Sequence, residues 1–223
     1  THGQPAGTWS DDTSMALAIC DSYREVGHID TDDIRARFLA WYRDGAYTCD
    51  GLFDIGNATA RALVAGRGLS GERDNGNGSL MRTVSLAFFD VTDDAVRAVS
   101  AITHAHPTST EACVRMVHVA RALVDGMSVS DAVAMGGVDA GKPCGSISSG
   151  GYVLHTYEAA LWCLANTSSY AECVLAAVNL GGDTDTTAAV TGALAGIVYG
   201  FDGIPSSWMD ELKGKDVIEA CLP

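Results

Sequence analysis

Residues 181–196 read GGDTDTTAAVTGALAG. After Thr187 it is built almost entirely of apolar and small residues, which return at the three- and four-residue steps of a helix. Small side chains on a helix face allow two helix axes to approach closely. The stretch therefore predicts a buried helix in a compact bundle, preceded by a glycine-led acidic loop.

The same helical pattern covers most of the 223 residues. One apolar stripe follows Asp12 and ends at Gly27, and a second follows Thr31 and ends at Gly45. No run of alternating strand residues interrupts the pattern, so we predict a single all-α domain over residues 1–223. Further helices are predicted at residues 56–65, 79–89, 93–102, 108–125, 152–166, 170–178 and 186–199. Glycine-rich breaks, where binding groups tend to collect, lie at 71–78, 135–151 and 181–184.

The composition excludes several classes of partner. The formal net charge of -14 gives no electrostatic basis for binding a nucleic acid backbone or an anionic membrane, whereas it suits a cation site. No apolar run reaches the roughly 18 residues of a membrane span, and the first residues do not show a basic segment followed by an apolar one. Seven scattered cysteines without a CxxC pair fit reduced thiols, so we expect a cytoplasmic protein.

Two acidic clusters lie at opposite ends of the chain, Ser10-Asp11-Asp12 and Asp183-Thr184-Asp185-Thr186. Carboxylates at a helix start either cap the helix or bind a cation, and the first cluster alone is consistent with both roles. The second cluster leads into an apolar helix, where an unpaired charge is costly. Its oxygens suit Mg²⁺, Mn²⁺ or Ca²⁺, but the residues after Thr187 lack the remaining ligands of an EF-hand, and no zinc spacing is present. Two clusters at helix starts could meet over one site, where their four carboxylates would neutralise two divalent ions.

Three other segments could contribute to binding. Residues 74–82 (DNGNGSLMR) form a tight loop whose backbone amides could meet a phosphate, although an Asn-Gly turn is common, and Arg82 could pair with phosphate or form an ordinary salt bridge. His104 and His106 could be ligands, hydrogen-bond donors or caps of a helix C-terminus. Tyr152 could stack on a base or pack in the core.

Six motifs taken in order resemble the ADP-ribosylglycohydrolase family over roughly residues 8–200. They are SDDT (10–13), NGNGSLMR (75–82), THAHP (103–107), GGYV (150–153), EAALWCL (158–164) and GGDTDTTAAVTGALAG (181–196). The resemblance implies an orthogonal multi-helix bundle of that family's type with two divalent cations, Mg²⁺ or Mn²⁺. It also implies removal of ADP-ribose from a modified side chain, with the arginine linkage favoured, or from a small molecule.

The resemblance also assigns residues by position. The implied metal ligands are Ser10, Asp11, Asp12, Asp183, Asp185 and Thr186, with serine standing where threonine is more usual. The implied substrate-binding residues are Asn77, Gly78, Ser79, Met81, His104, Gly151 and Tyr152. Asp74, three residues before Asn77, is the expected general base, and Asp12 and Asp183 are also assigned to catalysis.

Two departures and two alternatives accompany this resemblance. Family members usually begin with a helix carrying a glycine-rich GDALG-like segment, some with a catalytic acidic residue nearby. This chain lacks that segment, so we expect an absent N-terminal fragment, a replacement or a loss. His155 stands where related bacterial enzymes often have an acidic residue.

The alternative functions are a non-catalytic, ADP-ribose-binding or structural relative, which the intact carboxylates disfavour, and a metal-dependent hydrolase of another nucleotide or phosphate ester.

Overall fold

The computed structural model describes residues 3–222 and confirms the predicted all-α class. Within these residues β-type pairing is limited to two isolated bridges, Leu69 with His104 and Gly76 with Tyr152. None of the helices in this part of the chain combines the length and the apolar character needed to cross a membrane. The helices are α1 (Asp11–Val26), α2 (Thr31–Asp44), α3 (Asn57–Ala65), α4 (Leu80–Thr83), α5 (Asp93–Ala101), α6 (Pro107–Val124), α7 (Val129–Met135), α8 (Val153–Ala165), α9 (Tyr170–Asn179), α10 (Thr184–Tyr199), α11 (Ser206–Glu211) and α12 (Lys215–Cys221).

Local chemistry explains the ends of the first two helices. The Asp30 side chain accepts hydrogen bonds from the backbone nitrogens of Asp32 and Asp33, at 2.9 and 3.1 Å, and so caps the start of α2. Gly27 and Gly45 end α1 and α2 with φ angles of 79° and 71°, a left-handed conformation that favours glycine. Both glycines are the helix ends that the sequence predicted.

The single helix predicted over residues 79–89 is wrong. Only α4 is α-helical there, and a 3-10 turn, Val84–Phe88, follows it. The Thr83 hydroxyl donates to the carbonyl of Leu80 at 3.3 Å, and the Ser85 hydroxyl donates to that of Arg82 at 3.1 Å. Such side-chain bonds compete with the α-helical hydrogen bonds of the backbone.

Three short helices, α7, α11 and α12, were not predicted. They contain 7, 6 and 7 residues. So few residues make two turns at most, which is too short for an apolar repeat to emerge from the sequence. The Ser128 hydroxyl accepts from Asp131 N at 3.2 Å and caps α7, a local signal that the pattern of apolar residues does not contain.

The packing of α10 brings the two ends of the chain together. This helix packs on α8 and α9 and also contacts α6 and α1. Val190 and Leu194 from α10 are fully buried, as are Met15 and Ile19 from α1, and all four belong to one core. Each such side chain stabilises the fold by about 1.5–3 kcal/mol. The two helices that begin at the acidic clusters are therefore held against one another by a shared core.

Candidate functional site

A cavity of about 230 Å³ lies where the starts of α1 and α10 meet. Asp11 lines it from the first helix, and Asp183 and Thr186 line it from the second. Asp12 and Asp185 border a neighbouring cavity of about 430 Å³. The acidic clusters predicted to meet therefore do lie side by side, between two cavities.

The carboxyl groups of α1 are buried among like charges. Burial raises the pKa of Asp11 to about 8, and the charges of Asp12, Asp54 and Asp185 add to the effect. Burial likewise raises the pKa of Asp12 to about 7, although a hydrogen bond with Ser10 opposes the rise. Buried carboxyl groups that hold their protons near neutral pH require a positive charge nearby to become anionic.

Asp183 and Asp185 lie next to each other at the start of α10, and each affects the pKa of the other. Burial raises the pKa of Asp183, and its hydrogen bond with Asp185 and the charge of that residue raise it further. Burial acts in the same sense on Asp185, but hydrogen bonds with Asp54 and Asp183 outweigh it and hold the pKa of Asp185 below its usual value. The pKa values of these two neighbouring carboxyl groups are thus shifted in opposite directions.

The side chains of Ser10 and Asp183 do not cap the helices that they precede. Ser10 occupies the cap position of α1 without a cap hydrogen bond, and its hydroxyl donates instead to Asp12 Oδ2 at 2.7 Å. Asp183 occupies the cap position of α10, also without a cap hydrogen bond, and its Oδ2 accepts from Asn77 Nδ2 at 2.7 Å. Neither side chain therefore caps its helix, and the carboxylates of Asp11 and Asp12 lie within the first turn of α1 rather than before it.

The donor set fits a hard divalent cation. Carboxylate and hydroxyl oxygens are the ligands that Mg²⁺ and Mn²⁺ prefer. In residues 3–222 the acidic, histidine and cysteine side chains are not arranged as a ready group of three or more metal ligands. However, Asp12 Oδ1 is buried and has no hydrogen-bond partner among the described residues, whereas buried oxygens are normally satisfied. A bound cation would satisfy this oxygen and favour the charged carboxylates.

Backbone hydrogen bonds tie the glycine loop to the start of α8. Asn77 N donates to the carbonyl of Gly151 at 3.0 Å, and Val153 N donates to that of Asn75, also at 3.0 Å. The Ser109 hydroxyl on α6 donates to Asn75 Oδ1 at 3.0 Å. The loop is therefore held in one conformation at the cavity wall.

Gly182 allows the backbone before α10 to approach the segment before α8. Its φ angle is 65°, and a Cβ at this position would lie 2.5 Å from the carbonyl oxygen of Ser149. Asp183 N donates to the same oxygen at 2.8 Å, and the Ser149 hydroxyl donates to the Gly181 carbonyl at 2.9 Å. Only glycine fits this close approach, which fixes where α10 begins.

Most of the predicted substrate-binding residues lie in the cavity wall. Ser79 is completely buried instead, and its hydroxyl accepts a hydrogen bond from Cys113 Sγ at 3.4 Å. Tyr152 is 39% exposed, which excludes the core-packing role, and its ring stands edge-on to that of His155 at 5.1 Å. The predicted residues that line the cavity are Asn77, Gly78, Met81, His104 and Gly151.

Two expectations for charged residues need correction. His106 caps the N-terminus of α6 rather than a helix C-terminus, because its Nδ1 accepts from Thr108 N at 3.2 Å. Arg82 is completely buried, so it neither reaches a phosphate nor forms a surface salt bridge. It donates to the carbonyl of Gly78 and to the hydroxyl of Thr103.

Two aspartates differ in their relation to the cavity. Asp74, the expected general base, is not in the cavity wall; its carboxylate accepts from Arg61 Nη1 at 3.1 Å and from Gly71 N at 3.3 Å. Asp54 was not singled out from the sequence, yet it lines the cavity with Asp11. Its φ angle of 53° places it in the left-handed region, in the loop between α2 and α3.

Known proteins resemble the chain over nearly its full length. It is 34% identical to an ADP-ribosylarginine hydrolase of Serratia proteamaculans, with 95% of the chain and 65% of that relative aligned. It is 30% identical to the ADP-ribosyl-[dinitrogen reductase] glycohydrolase of Rhodospirillum rubrum, with 94% of the chain and 75% of that relative aligned. The chain thus spans about two thirds to three quarters of the length of these relatives.

A solved structure has the same fold. The structure, described as an ADP-ribosylglycohydrolase-related protein complex, superposes with a TM-score of 0.80 at 32% identity and covers 97% of this chain and 80% of its own. The sequence profile of the ADP-ribosylglycohydrolase family matches residues 1–222. The chain therefore belongs to the ADP-ribosylglycohydrolase family.

Proposed function

We propose that this chain carries the active site of a hydrolase that removes ADP-ribose from an ADP-ribosylated arginine side chain, with two divalent cations, Mg²⁺ or Mn²⁺, as cofactors. The observation that carries the proposal is the convergence of Asp11 and Asp12 with Asp183 and Asp185 between two neighbouring cavities. The similarity to ADP-ribosylarginine hydrolases supports the arginine linkage over other linkages.

The cations would be held by the oxygens of the two acidic clusters. When bound, they would neutralise the buried carboxylates and polarise substrate oxygens as Lewis acids. Asn77 supports this arrangement by donating a hydrogen bond to Asp183 Oδ2, which keeps that carboxylate oriented. The residues proposed as ligands are Ser10, Asp11, Asp12, Asp183, Asp185 and Thr186.

We place the diphosphate at the side of the cavity that is bordered by a helix N-terminus and a glycine loop. The start of α3 opens onto the cavity through Gly56 and Asn57, and the glycine loop borders it through Gly76 and Gly78. Helix N-termini and glycine loops present N–H groups that bind phosphate oxygens without a side chain in the way. This arrangement supports an ADP-ribosyl group as the ligand.

Hydrolysis also needs a group that moves a proton. Water forms the new C–O bond at the anomeric carbon, the C–N bond to the guanidinium breaks, and a proton from water passes to the leaving nitrogen. Asp54 lies in the cavity wall, whereas Asp74 is engaged by Arg61 outside it. We therefore assign the general base to Asp54 in this proposal, with Asp74 as the alternative that the sequence favoured.

The function is tested by measuring ADP-ribose release from arginine-linked, serine-linked and small-molecule-linked ADP-ribose. Each substrate is incubated with Mn²⁺, with Mg²⁺ and with excess chelator. We expect release from the arginine-linked substrate in the presence of a cation. Unchanged turnover in excess chelator would overturn the role of the cations, and release restricted to another linkage would overturn the assignment of the acceptor.

The general base is tested by comparing Asp54→Asn with Asp74→Asn. General acid–base catalysis contributes about 10²–10⁴-fold, so we expect Asp54→Asn to lower kcat by at least about a hundredfold while ADP-ribose still binds. Asp74→Asn should leave kcat within a few-fold of the wild-type value. The reverse ranking of the two variants would restore Asp74 as the base.

A further inference from the structure

A chain of three buried polar side chains ends at the cavity. Arg82 Nη2 donates to Thr103 Oγ1 at 2.8 Å, and Thr103 Oγ1 lies 2.8 Å from His104 Nδ1. Arg82 and Thr103 are completely buried, and His104 is 2% exposed and lines the cavity. The guanidinium of Arg82 is also held by the carbonyl of Gly78 and by the ring of Phe38, 4.8 Å away.

The donor in each hydrogen bond follows from the chemistry of the groups. Arginine only donates, so Thr103 Oγ1 is the acceptor of the first bond. The Thr103 hydroxyl has one proton to donate, and among the described residues its one acceptor is His104 Nδ1. A buried hydroxyl proton without an acceptor is costly, so this geometry favours Nδ1 as the acceptor, which in a neutral imidazole leaves the proton on Nε2.

The opposite edge of the His104 ring, which carries Nε2, points into the cavity. Its Nε2 makes no hydrogen bond within residues 3–222, and it is not among their fully buried, unsatisfied atoms. A Cβ at Gly76 would lie 3.4 Å from Nε2, and a Cβ at Gly78 would lie 2.9 Å from Cε1. The glycines of the loop therefore leave the space into which Nε2 points.

We propose that Arg82 and Thr103 are positioning residues that hold His104 as the Nε2–H tautomer, so that the cavity presents a neutral N–H donor to an acceptor oxygen of the ligand. The identity of the ligand rests on the proposed function, in which that oxygen belongs to the diphosphate or a ribose of ADP-ribose. The tautomer itself rests on the hydrogen bonds alone.

The surroundings also keep His104 neutral. Burial and the charge of Arg82 lower the pKa of His104 to about 3, and the charge of Asp74 opposes the change. A neutral imidazole has one N–H, and its direction is decided by the partner of the other nitrogen. Without Thr103 the proton could move to Nδ1, and Nε2 would then repel an acceptor oxygen.

The tautomer can be read directly from the ring nitrogens of His104. Long-range ¹H–¹⁵N correlation spectra of the ¹⁵N-labelled chain, without cation or ligand, distinguish the two tautomers by which nitrogen carries the proton. The His104 signals are identified by their absence from His104→Gln. We expect a protonated Nε2 and an unprotonated Nδ1, unchanged between pH 5 and pH 8. A proton on Nδ1 in the wild-type chain would overturn the proposal without any variant.

The role of the hydroxyl is tested with Thr103→Val and the conservative Thr103→Ser. Thr103→Val keeps the side-chain shape and should release the tautomer, which appears as a mixed nitrogen pattern. It should also weaken ADP-ribose binding roughly tenfold, the value of one hydrogen bond to an anionic oxygen. Thr103→Ser should preserve both the pattern and the affinity. An unchanged pattern and affinity in Thr103→Val, or equal losses in both variants, would overturn the positioning role.

Failure of this inference and failure of the proposed function give different results. If the protein carries the Nε2–H tautomer but binds no ADP-ribose, the proposed function is contradicted. The hydrogen bonds that join Arg82, Thr103 and His104 are then still supported. A chain that releases ADP-ribose but carries the proton on Nδ1 would contradict only the inference.

Discussion

Asn77 Nδ2 donates a hydrogen bond to Asp183 Oδ2 at 2.7 Å and so joins the glycine loop to the cap residue of α10, 106 positions further along the chain. The same amide also contacts the hydroxyl of Thr156 on α8, at 2.9 Å. The oxygen and nitrogen of the Asn77 side-chain amide therefore have fixed positions, because exchanging them would place an acceptor oxygen against the Asp183 carboxylate. One side chain therefore connects three elements at the cavity.

Asn77→Asp should disable the site while leaving the fold intact. The substitution removes the donor and places a carboxylate against Asp183. Asp183 and Asp185 would then have a third acidic group beside them. Loss of a hydrogen bond to a charged group costs about 1.5–3 kcal/mol, which corresponds to at least a tenfold loss of kcat/KM for ADP-ribose release. Asn179→Asp on the exposed face of α9 makes the same change of charge away from the site and should retain full activity. Equal activity of the two variants would show that the Asn77 hydrogen bond is not needed.

Divalent cations should stabilise the chain, and Asp12 should be required for this effect. A cation that binds the native state at about 100 times its Kd adds about 2.7 kcal/mol, which raises Tm by about 5–10 °C for a chain of this size. Asp12→Asn removes the carboxylate whose Oδ1 has no partner among the described residues, so the shift in Tm with Mn²⁺ should fall by at least half. Thermal unfolding followed by circular dichroism measures the shift.

The matched control for this experiment is Asp210→Asn. Asp210 is exposed on α11, and its replacement removes the same charge from a position outside the acidic clusters. It should keep the full shift in Tm. A shift in Asp12→Asn equal to that in Asp210→Asn would mean that the cations bind elsewhere or without this carboxylate.

The sequence predicted the fold class because it depends on strong local signals, and it indicated that the two clusters could meet because each of them lies at the start of such a helix. Long helices such as α1 and α10 contain several repeats of the apolar pattern, and their acidic starts are visible in the order of residues. Glycines at 27 and 45 marked the helix ends for the same reason. Packing of α1 on α10 then follows from two apolar faces in one core.

The sequence did not predict Asp54 or the buried role of Arg82, because both depend on tertiary contacts. Asp54 lies in a loop with no helical repeat, and the one signal there is an acidic residue between the apolar Phe53 and Ile55. Arg82 reads as a surface cation in the sequence, but its partners Val99 and Thr103 come from the end of α5 and the turn after it. Neither relationship has a fixed spacing that a motif could contain.

Asp21 should make the stability of the chain depend on acidic pH. Burial tends to raise the pKa of Asp21, but hydrogen bonds from Arg24 and Tyr47 and the charge of Arg37 outweigh it and lower the pKa. A carboxylate with a lowered native pKa stabilises the fold above its unfolded pKa of about 4, and this contribution is lost as the pH falls below that value. Asp21→Asn should therefore lower the urea midpoint at pH 7, and the difference from the wild type should shrink between pH 5 and pH 3. A difference for Asp21→Asn that stays constant between pH 5 and pH 3 would contradict the linkage.

Gly182→Ala should damage both the fold and the site, and Gly27→Ala separates the two causes. Both glycines have left-handed backbones, with φ angles of 65° and 79°, but a Cβ at Gly27 would meet nothing within 4 Å, whereas one at Gly182 would lie 2.5 Å from the carbonyl oxygen of Ser149. The backbone conformation alone costs about 1–2 kcal/mol, which is the loss of unfolding free energy expected for Gly27→Ala. Gly182→Ala adds a clash with the backbone and should lower the free energy of unfolding by at least about 3 kcal/mol. It should also abolish ADP-ribose release, because Asp183 can no longer stay where Asn77 holds it. Urea unfolding of the two variants measures the loss of unfolding free energy, and release assays measure their activity. Equal losses would mean that the approach of Gly182 to Ser149 does not position the start of α10.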